Sequence, residues 1–300
     1  MSLVVVGSVA FDSVETPQET RENVLGGSAV YFSYAASFFT TVRLAGVVGE
    51  DWPAENSQLL RNRNIDLAGL QTVPGGKTFR WRGRYLADMN SRETKELHLN
   101  VMAHFDPVLP DHYRRCPFLF LANGSTDIQL KVLDQCPGAT LAVADTMDHW
   151  ITSQRDLIGE MLQRIDGLVL NDAEAKLLTG EQNLVAAGRK TLELGPRFVV
   201  IKKGEHGAMF FSKHECYVLP AFPTAQVVDP TGAGDSFAGG MMGYLAQQRE
   251  FDPVHLKLAL AYGILTASFT VEGFGLDGLV AISRDDIERR MTEYRKMLSF

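Results

Sequence analysis

Short apolar runs alternate with helix-like stretches along most of this chain. "LVVVGSV" (3–9) is β-branched, continuous and short, so it predicts a buried strand. "GSAVYFSYAASFF" (27–39) predicts a helix packed on most of its sides. "VRLAGVVG" (42–49) predicts another strand, and "PAENSQLLRNRN" (53–64) an amphipathic helix starting at a favourable Pro. Further buried strands are expected at "FLFLAN" (118–123), "TLAVAD" (140–145), "GLVLN" (167–171) and "RFVVIKK" (197–203), with helical patterns between them. Helices near 235–248, 253–269 and 283–297 close the chain. Continuous apolar strands alternating with helices predict an α/β protein whose mainly parallel sheet is covered on both faces.

One region breaks this rhythm. Residues 77–100, "KTFRWRGRYLADMNSRETKELHLN", alternate with period two around a turn-like centre, "ADMNSRE". That pattern predicts a two-stranded ribbon with one polar face. Residues 11–25 read as a further extended piece. Both are expected to form a small β-sheet lid on the α/β body, so that 1–300 is a single domain. No internal repeat or low-complexity linker interrupts it.

Composition narrows the partners. Of 300 residues, 45% are hydrophobic and 22% charged, enough for a large core. The net charge of -7 argues against a nucleic-acid partner. A small anionic ligand stays open, because such sites use local donors. The three cysteines are scattered, which argues against a zinc site or a disulfide framework and suits a reducing compartment. The seven histidines form no HExxH-type pair. No run of about 18 apolar residues occurs, so no membrane span is expected. The chain enters "LVVVGS" without a basic region or cleavage site, so no signal peptide is read and the expected location is cytoplasmic.

Two glycine-rich segments compete as phosphate sites. "GFGLDG" (273–278) matches GxGxxG, but a helical stretch precedes it where a dinucleotide fingerprint needs a strand. No GxxxxGK[ST] loop exists. "DPTGAGDSFAGG" (229–240) behaves differently. Its glycines allow a tight turn with N–H groups facing one way, and a helical pattern follows. The free N–H groups and dipole of a helix start suit a phosphate. Asp235 sits at that start. It reads either as a first-turn acid or as a base taking a hydroxyl proton beside a phosphate cradle.

"DPTGAGDSFAGG" resembles the C-terminal signature of the ribokinase-like, or phosphofructokinase B (PfkB), carbohydrate kinases. Five more segments resemble that family in its order: "VVGSVAFD" (5–12), "LGGSAVYFSYAASFF" (25–39), "VVGED" (47–51), "LNDAEAKLLTG" (170–180) and "VIKKGEHGAMFF" (200–211). The resemblance covers nearly the whole chain. It implies a three-layer α/β/α doubly wound fold with a small β lid, and an ATP- and Mg²⁺-dependent kinase. By resemblance, Asp235 is the catalytic base, and the N–H groups of Gly232, Ala233, Gly234 and Asp235 form an anion hole. By the same resemblance Asn171 and Glu174 order Mg²⁺ through water. Lys203, Gly204, Gly207 and Thr231 lie beside the nucleotide, and "ASFTVEGFG" (267–275), with Gly273 and Gly275, lines its adenine pocket. Asp12, Gly26 and Gly27 hold acceptor hydroxyls. Asp229 and Thr231 stand where some members bind K⁺.

Simpler readings stay beside these. Asn171 and Glu174 have capping-box spacing. Asp12 also suits a turn acid. Phe79, Trp81 and Tyr85 alternate along the ribbon and suit its packed face as well as an acceptor's. The chain also departs from the sugar-kinase pattern: Ala10 and Tyr31 stand where many members carry Asn. With Tyr31, Phe79 and Trp81 on the acceptor side, the departures favour a nucleoside acceptor over plain ribose. A free-sugar kinase is the rival. A sugar-phosphate kinase would draw on Arg80, Arg82 or Arg84, and a catalytically silent ligand-binding protein is the alternative from another class. Lid edges could pair two copies into a homodimer.

Overall fold

The computed structural model describes residues 2–299. The first apolar run forms β1 (Leu3–Val6), whose Leu3 and Val5 enter one core while Val4 and Val6 enter another. That period-two division is what a sheet covered on both faces requires. The chain continues through β2 (Ala10–Glu15), β3 (Thr20–Gly26), β4 (Val42–Gly49), β5 (Ile65–Val73), β6 (Phe79–Tyr85), β7 (Arg92–His98) and β8 (Phe118–Leu121). It ends its strands with β9 (Leu141–Asp145), β10 (Gly167–Asn171), β11 (Phe198–Lys202), β12 (Ala208–Ser212) and β13 (Cys216–Leu219).

Nine strands form one sheet in the order β13-β12-β11-β10-β9-β8-β1-β4-β5. From β11 to β5 every pair is parallel; β12 and β13 add an antiparallel edge. Helices Ser28–Ala36, Ala233–Gln248 and Pro253–Thr270 pack on one face. Helices Thr126–Gln135, Arg155–Leu162 and Leu184–Glu193 pack on the other. This is the three-layer, doubly wound arrangement expected from the sequence.

The chain leaves β1 towards β4 and β5, then returns to β8 on the other side of β1. Such a reversal opens a crevice at the carboxyl ends of the strands. Ser28 closes its floor: the Ser8 N–H donates to Ser28 Oγ (3.1 Å), the Ser28 N–H donates to Ser8 Oγ (2.9 Å), and Ser28 Oγ–H donates to Asn123 O (3.2 Å).

The second sheet is larger than the ribbon expected. Its order is β3-β2-β6-β7, with β2 and β6 parallel and the outer pairs antiparallel. The two segments singled out by period-two alternation thus join through β2 and β6. Two further differences have local causes. Helix Ala54–Arg61 has Pro53 as its N-cap rather than its first residue. Strand β5 escaped notice because its second half faces solvent and Gly69 interrupts its apolar run, where the Tyr113 ring leaves no room for a Cβ.

Candidate active site

Helix Ala233–Gln248 begins where the glycine turn ends. Gly232 is its N-cap with φ +75°, a left-handed conformation that favours glycine. A Cβ there would come within 2.3 Å of the Tyr31 ring, so conformation and space both select Gly. No side chain caps this helix. The Ala233 N–H donates to Pro230 O at 3.1 Å, which withdraws it from the proposed anion hole. Among the described residues no main-chain carbonyl accepts from Gly232, Gly234 or Asp235. Of the four N–H groups expected to form an anion hole, Ala233 alone thus donates to a main-chain carbonyl.

Asp235 stands at this helix start between two polar clusters. On one side lie Asp12, Asp229, Tyr31, Thr231 and Tyr85. Asp12, on β2, is buried against Gly26, where a Cβ would fall within 2.0 Å of its Oδ2. Burial, then the neighbouring Asp229 charge, raises Asp12 to about 7, although the Gly27 N–H opposes the rise. Asp229 is wholly buried and raised by burial. Its Oδ1 accepts from the Thr231 N–H (2.8 Å) and its Oδ2 from the Gly275 N–H (3.4 Å). Thr231 Oγ1–H donates to Tyr85 Oη at 3.3 Å. Tyr31 is 1% exposed and its hydroxyl has no hydrogen-bond partner, which is unusual for a buried polar group.

On the other side lie Asn171, Glu174, Asp145 and Lys202. Asn171 and Glu174 form a complete capping box: the Glu174 N–H donates to Asn171 Oδ1 (2.8 Å), and the Asn171 N–H donates to Glu174 Oε2 (2.7 Å). The box fixes Glu174 in a buried position where burial, eased by Lys202, raises it to about 7. Lys202 Nζ pairs with Asp145 Oδ2 at 3.1 Å. Burial raises Asp235 to about 7; Asp145 adds to that rise, while Lys202 and Arg92 oppose it.

Next to the helix start is a cavity of about 420 Å³. Lys202, Gly204, Gly207, Ala233 and Gly234 form its polar wall, and Phe222, Val227, Ile264, Ala267 and Val271 its apolar one. Gly204 (φ +54°) and Gly207 (φ +84°) need their glycines; a Cβ on Gly207 would lie 2.0 Å from Leu219 O. Asp88, Met89 and Asn90, at the β6–β7 turn, also line the cavity, and Asn90 Nδ2–H donates to Glu205 Oε1 at 3.2 Å.

Several expected residues lie elsewhere. Lys203 does not line the cavity; its N–H donates to Gly207 O at 2.7 Å, and strand alternation sends Lys202 inward instead. Residues 267, 268 and 271 reach the cavity, but Gly273 and Gly275 do not. Gly275 lies against Leu25 and Val24, on the Asp229 side. Trp81 lies over Gly83, its Nε1–H donating to Thr94 Oγ1 at 3.2 Å, and Phe79 is half-buried on the same face. Arg80, Arg82 and Arg84 point the other way and pair with Asp51, Glu15 and Glu22. Sequence reading missed Asp145, Lys202 and Arg92. The signal for the first two was position, since each ends a buried parallel strand.

The pattern can be set against known proteins. The family model described as pfkB family carbohydrate kinase matches residues 126–280. The cytidine kinase of Thermococcus kodakarensis is 30% identical over 271 residues, spanning 88% of this chain and 96% of that protein. A candidate ribokinase II from E. coli, in complex with ATP and Mg²⁺, superposes with TM-score 0.82 at 20% identity, covering 98% of this chain and 100% of that one. A Burkholderia thailandensis nucleoside kinase in complex with inosine gives TM-score 0.81 at 17% identity, covering 100% and 99%. No described helix is long and apolar enough to cross a membrane. The chain belongs to the pfkB family of carbohydrate kinases and is an ATP-dependent phosphotransferase.

Proposed function

We propose that this kinase transfers the γ-phosphoryl of ATP to a primary hydroxyl of a ribofuranose-type acceptor, a nucleoside before a free sugar. Asp235 takes the hydroxyl proton. The N–H groups of Gly232, Gly234 and Asp235 hold the moving phosphoryl, and the 420 Å³ cavity takes the nucleotide. Asp12 binds acceptor hydroxyls. Tyr31, against Gly232, supplies the apolar side of the acceptor site. The carrying observation is Asp235 itself: a carboxyl at an uncapped, glycine-led helix start, with the cavity on one side and Asp12 on the other. The similarity to a cytidine kinase over 88% of this chain favours the nucleoside.

The residues fit Mg²⁺. Glu174 is a buried carboxylate whose Oε1 lies outside the capping box, and a hard oxygen donor suits that ion, whereas Asp145 already accepts from Lys202 and the Thr146 N–H. The cap takes the only side-chain oxygen of Asn171 but just one of the two on Glu174, so Glu174 is the stronger candidate. Bound Mg²⁺ would neutralise phosphate charge. The K⁺ reading fits less well. Both Asp229 oxygens already accept hydrogen bonds, although Thr231 Oγ1 donates and keeps its lone pairs, and no step is assigned to K⁺.

The small sheet is the lid. Its β6–β7 turn reaches the nucleotide cavity while β2 carries Asp12, so closing it covers both substrates and excludes water. Its exposed β7 could also pair two copies, which light scattering would read. A phosphorylated acceptor is the second reading. Arg80, Arg82 and Arg84 no longer support it, but Arg92 makes no ion pair within 4.0 Å among the described residues and acts on Asp12 and Asp235.

The test is an ADP-release screen over nucleosides, pentoses, hexoses and their monophosphates. Turnover on a nucleoside supports the reading. Turnover on phosphorylated sugars alone rejects it.

A further inference from the structure

Lys202 ends β11 beside Asn171 of β10, in register with it. Strand alternation puts it on the same face as Val200, whose core includes Phe237 and Ala238 of the helix that follows the glycine turn. Its side chain therefore runs towards that helix start. Its Nζ lies 3.0 Å from where a Cβ on Gly234 would be, and the side chain forms part of the cavity wall. Only 18% of the side chain is exposed, against 5% for Asp145, its ion-pair partner at 3.1 Å.

A buried ammonium has three donors, and the structure gives Lys202 one hydrogen-bond partner, Asp145. Ion pairs this buried are costly to desolvate and contribute little stability on their own. Placement in the polar wall of the cavity, beside N–H groups that no main-chain carbonyl takes, gives this one a ligand-directed role.

We propose that Lys202 is a catalytic residue: its ammonium, aimed by Asp145, binds the ATP polyphosphate at the start of helix Ala233–Gln248 and stabilises the charge of the transferring phosphoryl. The proposal rests on the placement of that phosphoryl given above. In the step, an acceptor oxygen forms a bond to the γ-phosphorus and its proton passes to Asp235. The bond from the γ-phosphorus to the bridging oxygen breaks, and its electron pair stays on ADP. Lys202 keeps its proton throughout.

The experiment compares wild type with Lys202→Met, Lys202→Arg, the double variant Lys202→Met/Asp145→Asn, and Asp235→Asn. Each is titrated calorimetrically with a non-hydrolysable ATP analogue and with AMP, Mg²⁺ present, and its kcat is measured. Lys202→Met should weaken the ATP analogue at least ~10-fold, leave AMP within about 3-fold, and lower kcat by about 10²-fold, the scale of losing one oxyanion donor. Lys202→Arg should recover most of this. If Lys202→Met misfolds because Asp145 is left unpaired, the double variant carries the same comparison. An unchanged ratio of ATP-analogue to AMP affinity in a folded variant overturns the proposal. If Asp235→Asn loses turnover and Lys202→Met does not, Lys202 alone is excluded. If both keep it, the phosphoryl placement itself is wrong.

Discussion

Gly232 rests against the ring of Tyr31, so close that a Cβ at 232 would lie 2.3 Å from Tyr31 Cγ. Tyr31 belongs to helix Ser28–Ala36, which follows the di-glycine segment, and Gly232 caps the helix that begins at the proposed phosphate cradle. The proposed acceptor side and the proposed phosphoryl side therefore share one packed contact. Gly232→Ala would add a clash to a left-handed backbone, together costing about 2–4 kcal/mol. Turnover should fall by at least ~10²-fold, because displaced N–H donors no longer meet the moving charge. Steady-state kinetics alongside a thermal melt checks this; normal kcat in a folded variant would count against the shared contact.

Asp12 should destabilise the fold at neutral pH. Its carboxyl is raised from 3.8 to about 7, so between those values the folded state holds a proton that the unfolded state has released. Stability therefore falls as pH rises through that window, and the full penalty is present above pH 7. Asp12→Asn should raise stability by up to about 4 kcal/mol at pH 8 and by nothing from this source below about pH 4. The same variant should bind the acceptor more weakly. Urea melts at the two pH values test the first claim and acceptor titration the second.

Glu174→Gln separates capping from metal binding. A Gln oxygen can still accept the Asn171 N–H, which preserves the box. The charge is lost, so the Mg²⁺ concentration for half-maximal rate should rise by about 10-fold or more. A variant that folds normally and keeps its Mg²⁺ dependence would reduce Glu174 to a helix cap.

Much of this was readable from the chain. The buried strands of the large sheet announce themselves by length and β-branching, since a parallel sheet covered on both faces needs apolar residues at every position. The small sheet showed as alternation, but the parallel β2–β6 pairing joins residues about 70 apart in sequence and leaves no local signal. TGAGD was legible because few other roles demand Gly-x-Gly-Asp at a helix entrance. Lys202 was not. "KK" offers two equal candidates until the strand's phase is known, and one residue of phase sends Lys203 out and Lys202 in. Arg92 was hidden in the same way, among polar neighbours on an exposed strand.

Asp235 as the base is tested most directly by the pH dependence of kcat/KM together with Asp235→Asn. Burial raises this carboxyl to about 7 in the free protein, and only its ionised form can take the proton. Wild-type kcat/KM should therefore climb with pH up to about 7 and level off above it. Asp235→Asn should lose about 10²-fold or more in kcat and lose that ascending limb, with nucleotide affinity little changed. Near-normal turnover of the Asn variant, or an unaltered pH profile, would contradict the assignment.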